Sequence, residues 1–409
     1  QMCIRDRWRV THEKFMEKVR FLNDLKLKLS WGRNGNQGID PYGTLSEAVI
    51  GPGGGIAYPF GNSTVPSFGI KQNSLGNSGL GWETTNSWNF GFESAWLNNR
   101  LFVNMDVYLS RTTDQIFNRT IPSMTGFDSM KSTMGEVANR GVEFSIHSVN
   151  IENKDWRWDT NLTFWLNRNE LVHLYGEDLD GDGREDDDLG NNLFIGHSIH
   201  SIYGYKVAGI VQKDDTEYIQ ANGATPGNPK YVDVDGNGTI GVEDRTILGT
   251  SDPRFKMSLS NTLSWKNFEL YFMLTGTFGG NGYYVSENAP AFLAGGGGGG
   301  AYSNNMYIPY WTEERPSNKY PAANFSGDGR FKGLQSRAFV RLQDITLSYT
   351  FNSAKIKNFG INNLRVFFTG KNLFTITGWE NGDPELGNTI LSSTYPISTN
   401  LSLGANISF

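Results

Sequence analysis

At 409 residues, with 49 glycines, 13% aromatic and only 38% hydrophobic residues, the chain has the composition of one large all-β unit rather than of two or three ordinary domains. A net charge of -6 without any standout Lys/Arg cluster argues against nucleic acid as a partner, and a single cysteine, Cys3, rules out a disulfide within the chain. No run approaches the roughly 18 consecutive apolar residues of a membrane helix, which leaves a transmembrane barrel open because alternating strands hide their hydrophobicity.

The first residues, QMCIRDRWRV, lack the apolar core of a secretory signal, so either the protein stays inside the cell or the chain starts within a longer protein. Residues 1–24 show no clear period and form a poorly defined segment; the patterned part is 25–409. There Leu25, Leu27, Leu29 and Trp31 alternate with Lys26, Lys28, Ser30 and Gly32, the period of two of a strand with one apolar face. After a Gly/Asn/Pro/Ser-rich stretch to about Ser87, Trp88, Phe90, Phe92 and Trp96 take one parity and Asn89, Gly91, Glu93 and Ala95 the other. A short turn at Leu97 to Arg100 leads into the clearest strand, with Leu101, Val103, Met105, Val107 and Leu109 opposite Asn104, Asp106, Tyr108 and Ser110. A one-residue slip would turn Asp106 to the apolar face, so the register is well determined.

A loop is expected to about Arg140, followed by Val142, Phe144 and Ile146 against Glu143, Ser145 and His147. Past a short turn near Asn153, Trp156, Trp158, Leu162, Phe164 and Leu166 alternate with Arg157, Asp159, Asn161 and Thr163, and Trp165 falls on the polar parity. A large loop region, about 167–255, holds one strand-like piece at 199–211 that is not expected to span. Pattern returns at Met257 to Trp265 and, after only Lys266-Asn267, at Phe268 to Leu274. A second loop region, about 278–337, contains the run Gly295 to Gly300, and Tyr302, Tyr307 and Trp311 are candidate aromatic platforms there. The last strands centre on Val340 to Tyr349, Leu364 to Phe368 and Leu401 to Phe409.

The map holds about ten strands joined alternately by short turns and long loops, the asymmetry of bacterial outer-membrane barrels. Trp96, Trp156 and Trp265 lie at the short-turn ends and Trp31 and Trp88 at the long-loop ends, as two interfacial aromatic belts would. The fold class expected is therefore all-β, an antiparallel transmembrane β-barrel with long extracellular loops.

Two acidic clusters interrupt the map. Asp233-Val-Asp235-Gly-Asn237-Gly238-Thr239-Ile240 with Asp244 matches a calcium loop at positions 1, 3, 5, 6, 8 and 12. Ligand oxygens would come from Asp233, Asp235, Asn237, the Thr239 carbonyl and Asp244, with Asp standing at position 12 where an EF-hand has Glu. Asp178-Leu-Asp180-Gly-Asp182-Gly183 begins the same way but puts Glu185 at the apolar anchor and Leu189 at the closing position, a weaker site. The bland alternative for each is a solvated acidic turn. No nucleophile-base-orienter set is evident, and the chain is not expected to be an enzyme or to carry an organic cofactor.

Several stretches together resemble the C-terminal half of the SusC/RagA family of TonB-dependent outer-membrane transporters, which implies that this chain supplies the C-terminal portion, about ten strands, of a larger barrel. They are Leu80-Gly-Trp-Glu-Thr84, Tyr108-Leu-Ser-Arg-Thr-Thr-Asp114, Val137-Ala-Asn139-Arg-Gly141-Val-Glu143, Lys230-Tyr-Val-Asp233, Arg245-Thr-Ile-Leu-Gly249, Gly370-Lys-Asn372-Leu-Phe374, Asp383-Pro384-Glu385 and the terminal strand, in order along almost the whole chain from about residue 25. The resemblance implies a barrel of about 22 strands around an N-terminal plug, a SusD-like surface lipoprotein as lid, and TonB as energy source through a missing N-terminal part. It also implies the Gram-negative outer membrane, contact with its lipid, and import of oligosaccharides or, in some members, peptides. Read from the residues alone, a secreted calcium-binding β-protein or adhesin and a surface glycan-processing enzyme remain alternatives.

Overall fold

The computed structural model describes residues 2–39, 41–50, 57–58, 67–283, 309–325, 328, 330–331, 333–351, 360–380, 383–386 and 397–409. The run Gly295 to Gly300, with Tyr302 and Tyr307, lies outside them. Among the described residues, eleven strands hydrogen-bond in chain order into one sheet. They are β1 (Met2–Arg9), β2 (Leu22–Asn36), β3 (Glu83–Trp96), β4 (Leu101–Thr120), β5 (Ser129–Glu152) and β6 (Trp156–His173). The remainder are β7 (Phe255–Trp265), β8 (Phe268–Phe278), β9 (Phe339–Phe351), β10 (Asn363–Thr377) and β11 (Asn400–Ser408).

The ten strands expected from alternation are all present, and β1 is an addition from the segment that showed no period. Its register explains why it was hidden: Ile4 pairs with Trp31 and Trp8 with Leu27, but Asp6 falls on the same parity opposite Leu29 and breaks the pattern. The turns follow local sequence. Leu97, Asn98 and Asn99 take φ of 56°, 58° and 62°, a left-handed run in which Asn is at home. Lys266, at φ 53°, closes the two-residue turn between β7 and β8.

The expected loop up to Arg140 is corrected. β4 continues to Thr120 and β5 begins at Ser129, so only 121–128 connects them. Pairing persists although the apolar alternation has ended. The piece at 199–211 stands outside the large sheet, as expected: Ser201–Tyr205 pairs with Arg245–Thr250, and Val207–Ile210 with Pro229–Tyr231.

The chain divides into two compact units, one of residues 1–94, 104–142 and 167–199, the other of 95–103, 143–166 and 200–409. In the first, Trp31 and Trp88 meet at 6.3 Å between ring centroids. Leu171, Leu174, Val137 and Leu193 form its buried cluster, with Phe117 and Tyr175 packed against it.

In the second unit two rows of rings run across neighbouring strands on the apolar face. At the short-turn end Trp156, Trp265, Phe268 and Tyr349 are directly opposed partners, with centroids 5.8, 6.1 and 4.7 Å apart along the row. At the other end Phe144, Phe164, Phe255 and Phe278 stack at 4.9, 5.5 and 4.6 Å. On β7 the rows are Phe255 and Trp265, at the two ends of the strand. Ten residues at ~3.4 Å each, tilted ~40°, separate them by ~26 Å along the membrane normal, the height of an outer-membrane apolar band. One polar inlay breaks this band. Thr160 and Asn261 are cross-strand partners, and Asn261 Oδ1 accepts from Thr160 Oγ1 at 2.7 Å and from Trp158 Nε1 at 2.8 Å. The indole thus satisfies an amide that lipid would not.

Candidate functional site

Backbone donors shape the second acidic loop. Asp233 accepts from the N–H groups of Gly236 and Gly238, each at 2.7 Å. Those glycines sit at φ 77° and 87°, where a Cβ would strain the turn. Asp235 accepts from Asn237 N at 3.0 Å, and Asn237 Oδ1 accepts from Thr239 N and Oγ1, both at 2.8 Å. The 3-10 turn Val242–Asp244 then swings Asp244 back into the loop. Fully buried, it accepts from Gly241 N at 2.7 Å and from Val234 N at 2.6 Å, and these two N–H groups hold its carboxyl below the ordinary carboxylate range. Asp233, Asp235 and Asp244 thereby present one oxygen each within 4.8 Å of one another. Asn237 and Thr239 stand on the same turn, and Ile240 is pinned through its N–H to Asn222 Oδ1 at 2.7 Å. The donor chemistry, three carboxylates with amide and carbonyl oxygens nearby, fits a hard divalent cation such as calcium.

The first acidic loop repeats this construction. Asp178 accepts from Gly181 N and Gly183 N at 2.8 and 3.0 Å, the same offsets as in the second loop, and Asp180 accepts from Asp182 N at 3.0 Å. It closes earlier. The converging carboxylates are Asp178, Asp180 and Asp186, while Asp182 turns to Arg184 N at 2.8 Å. Asp186 accepts from Leu179 N at 2.6 Å, as Asp244 does from Val234 N. The acid run Glu185 to Asp188 was the available signal, but the twelve-residue template passes over it. Glu185 instead receives Leu174 N and Gly176 N at 2.7 and 2.6 Å. Asp188, nearly buried, ties Tyr175, Thr120 and Asn191 together.

Around the second loop the chain builds a small body. Helix α1 (Thr216–Asn222) packs beside Pro229–Tyr231, and with the acidic loop it lines an open cleft of about 630 Å³. Trp311 is not an open platform. It is buried with Ile210 and Ala322, and its Nε1 donates to Gln212 Oε1 at 2.8 Å. A second anchor escapes sequence reading: Arg341 on β9, buried, reaches Asp383 at 2.7 Å and Glu385 at 2.5 Å, while Arg337 donates to the Pro384 carbonyl at 3.0 Å. On the polar face, Trp165 pairs with Lys256, whose ammonium lies 5.6 Å from the ring centre.

Residues 17–373 match the family model described as TonB dependent receptor-like, beta-barrel. The chain belongs to this family. TonB-dependent receptors are transporters of the Gram-negative outer membrane, not enzymes. The SusC/RagA branch is shown by the relatives. TonB-dependent receptor P26 of Formosa agariphila is 31% identical over 431 residues, covering 98% of the chain and 41% of the relative. TonB-dependent receptor SusC of Bacteroides thetaiotaomicron is 30% identical over 418 residues, covering 98% and 39%. Among solved structures, the RagAB peptide transporter superposes with a TM-score of 0.74 at 25% identity, over 100% of this chain and 43% of that one. The chain thus spans about two fifths of the length of the TonB-dependent receptors it matches. With the eleven-stranded sheet, these matches establish an all-β receptor barrel as the fold class.

Proposed function

We propose that the chain is the C-terminal part of the barrel of an importer that carries oligosaccharides or peptides across the outer membrane, with a SusD-like lipoprotein over its long loops and TonB supplying energy. The observation that carries this reading is the apolar face itself. Trp156, Trp265, Phe268, Leu347 and Phe368 stay 42–50% exposed and lie between or along aromatic rows spaced for a bilayer. A secreted β-protein would have to cover that face with a second layer, and none lies on it among the described residues. Uptake of labelled oligosaccharide or peptide by cells carrying the full-length protein, with and without a SusD-like lipoprotein, tests the reading. Uptake that persists when the protein is deleted overturns it.

Calcium in the second acidic loop belongs to the same proposal. The preorganised carboxylates of Asp233, Asp235 and Asp244 support it, and the ion would stiffen the small extracellular body next to the cleft. The first loop, through Asp178, Asp180 and Asp186, is a lesser second site. Isothermal titration of the full-length protein with calcium should show one binding event that is lost in Asp233→Ala and in Asp235→Ala, any heats of the first loop remaining; identical heats in wild type and variants would remove the site.

A further inference from the structure

We propose that the outward face of β2 to β6 carries, just above the apolar band, a row of guanidinium groups that holds the phosphate of an outer-leaflet glycolipid. The row is Arg33 on β2, Asn86 on β3, Arg111 on β4, Arg140 on β5 and Arg168 on β6. Contacts between neighbouring strands fix its alignment. The rings of Trp31 and Trp88, 6.3 Å apart, and the bond from Asn36 Nδ2 to Glu83 Oε2 at 2.8 Å define one register, which sets Arg33 opposite Asn86. The hydroxyls of Thr85 and Thr112 lie 2.9 Å apart and set Asn86 opposite Arg111. The contacts of Arg140 with Glu170 and of Asn167 with Asn139 straddle a common centre, so Arg140 and Arg168 face each other across the ladder.

Depth and chemistry select the ligand. Each arginine stands two residues beyond the last apolar side chain of its strand, which is Trp31, Leu109, Val142 or Leu166. Two residues at ~3.4 Å, tilted ~40°, lift the row ~5 Å above that side chain, out of the hydrocarbon and into the headgroup layer. All four cations are arginines, whose planar fork takes two phosphate oxygens at once. Arg111 and Arg140 meet Glu136 and Glu170 through one nitrogen each and stay 61% and 68% exposed, so most of their donors still point to the surroundings. Arg33 is exposed and has no acidic partner among the described residues, which leaves the row a cationic surplus in a chain of net charge -6. Like charges opposed across a ladder repel, and a phosphate between Arg140 and Arg168 removes that repulsion. A free anion or an acidic peptide would have to displace lipid to reach this face, whereas the phosphate of the lipid is already at that depth.

The inference needs the outer-membrane location and not the import reading, so its test measures lipid binding without transport. The full-length protein in neutral detergent micelles is titrated with monophosphorylated lipid A and with the same lipid after removal of its phosphate, and bound lipid is counted by native mass spectrometry. The phosphorylated lipid should bind roughly ten-fold or more tightly, a preference that falls as salt rises. The double variant Arg140→Gln, Arg168→Gln should reduce that preference to about two-fold or less and leave the melting midpoint of the lipid-free protein unchanged. Arg33→Gln, which breaks no ion pair among the described residues, should lower it about two-fold or more. Equal binding of the two lipids, binding of neither, or an undiminished preference in both variants overturns the proposal. Displacement of the lipid by inorganic phosphate at constant ionic strength also overturns it, in favour of a site for a free anion.

Discussion

Gly91 on β3 lies between Lys28 on β2 and Asp106 on β4, and its missing side chain lets the ammonium reach across a whole strand to Asp106 at 2.9 Å. Lys28 also donates to Asn104 Oδ1 at 2.9 Å. A Cβ at position 91 would fall 2.3 Å from Asp106 Oδ1, 2.9 Å from Lys28 Cε and 2.7 Å from the carbonyl oxygen of Met105. The two side chains can swing aside; the carbonyl is backbone and cannot. Losing a charge-assisted bond costs about 1.5–3 kcal/mol and crowding about 1–3 kcal/mol. The side chains of Lys28 and Asp106 are 17% and 23% exposed, which favours the lower half of each range. Gly91→Ala should therefore destabilise by about 2.5–4 kcal/mol, read from urea unfolding of the full-length protein in micelles. In an Asp106→Ala background the nearest clash is gone, so the two substitutions should fall short of additivity by about 1 kcal/mol or more. Coincident unfolding of Gly91→Ala and wild type, or strict additivity, would refute the account.

Asp383→Ala should strip the buried partner from Arg341 and leave its guanidinium only the half-exposed Glu385 carboxylate and the Thr375 hydroxyl, a loss of about 2–3 kcal/mol, seen as faster amide exchange around 337–341 and 383–386; Glu385→Gln, at a 52% exposed side chain, should change little. Burial raises the Asp188 pKa, but the Asn191 amide and N–H and the Tyr175 and Thr120 hydroxyls outweigh it and leave the carboxyl below its ordinary range. Its contribution is then complete above the unfolded carboxylate value of about 4 and is lost as pH falls through the lower folded value. Amide protection at Asn191 and Leu193 should follow that acid limb, and Asp188→Asn should abolish the limb. Trp311→Ala should cost about 3–5 kcal/mol by opening a hole beside Ile210 and Ala322; ligand loss at an unchanged melting midpoint would restore the platform reading.

What the sequence made legible depends on how local the cause is. Alternation marks every strand whose apolar face meets one environment along its length, so β4 and β7 could be placed to within a residue or two at their short-turn ends. The turn at Asn98-Asn99 is equally local. β1 stayed hidden because one acid, Asp6, occupies the apolar parity opposite Leu29. Asp233, Asp235 and Asp244 were readable because the loop is closed within twelve residues, whereas Asp186 closes its own loop at an offset the template does not contain. Arg341 could not be found at all: its partners lie 42 and 44 residues away, and no pattern ties them to it.

The strand ends on the long-loop side show the same dependence, and they carry information about the membrane. On the parity that is apolar below, β4 changes from Leu109 to Arg111, β5 from Val142 to Arg140, and β6 from Leu166 to Arg168. Arg111 meets Glu136 at 2.7 Å and Arg140 meets Glu170 at 3.4 Å, so the outward face becomes a belt of ion pairs while the hydrogen-bonded ladder runs on. A 24-residue strand such as β5 extends ~80 Å, far beyond what a bilayer needs. Alternation therefore ends where lipid ends, not where the strand does. The loss of alternation over 111–140 marks the outer surface of the membrane, crossed by strands that continue into water.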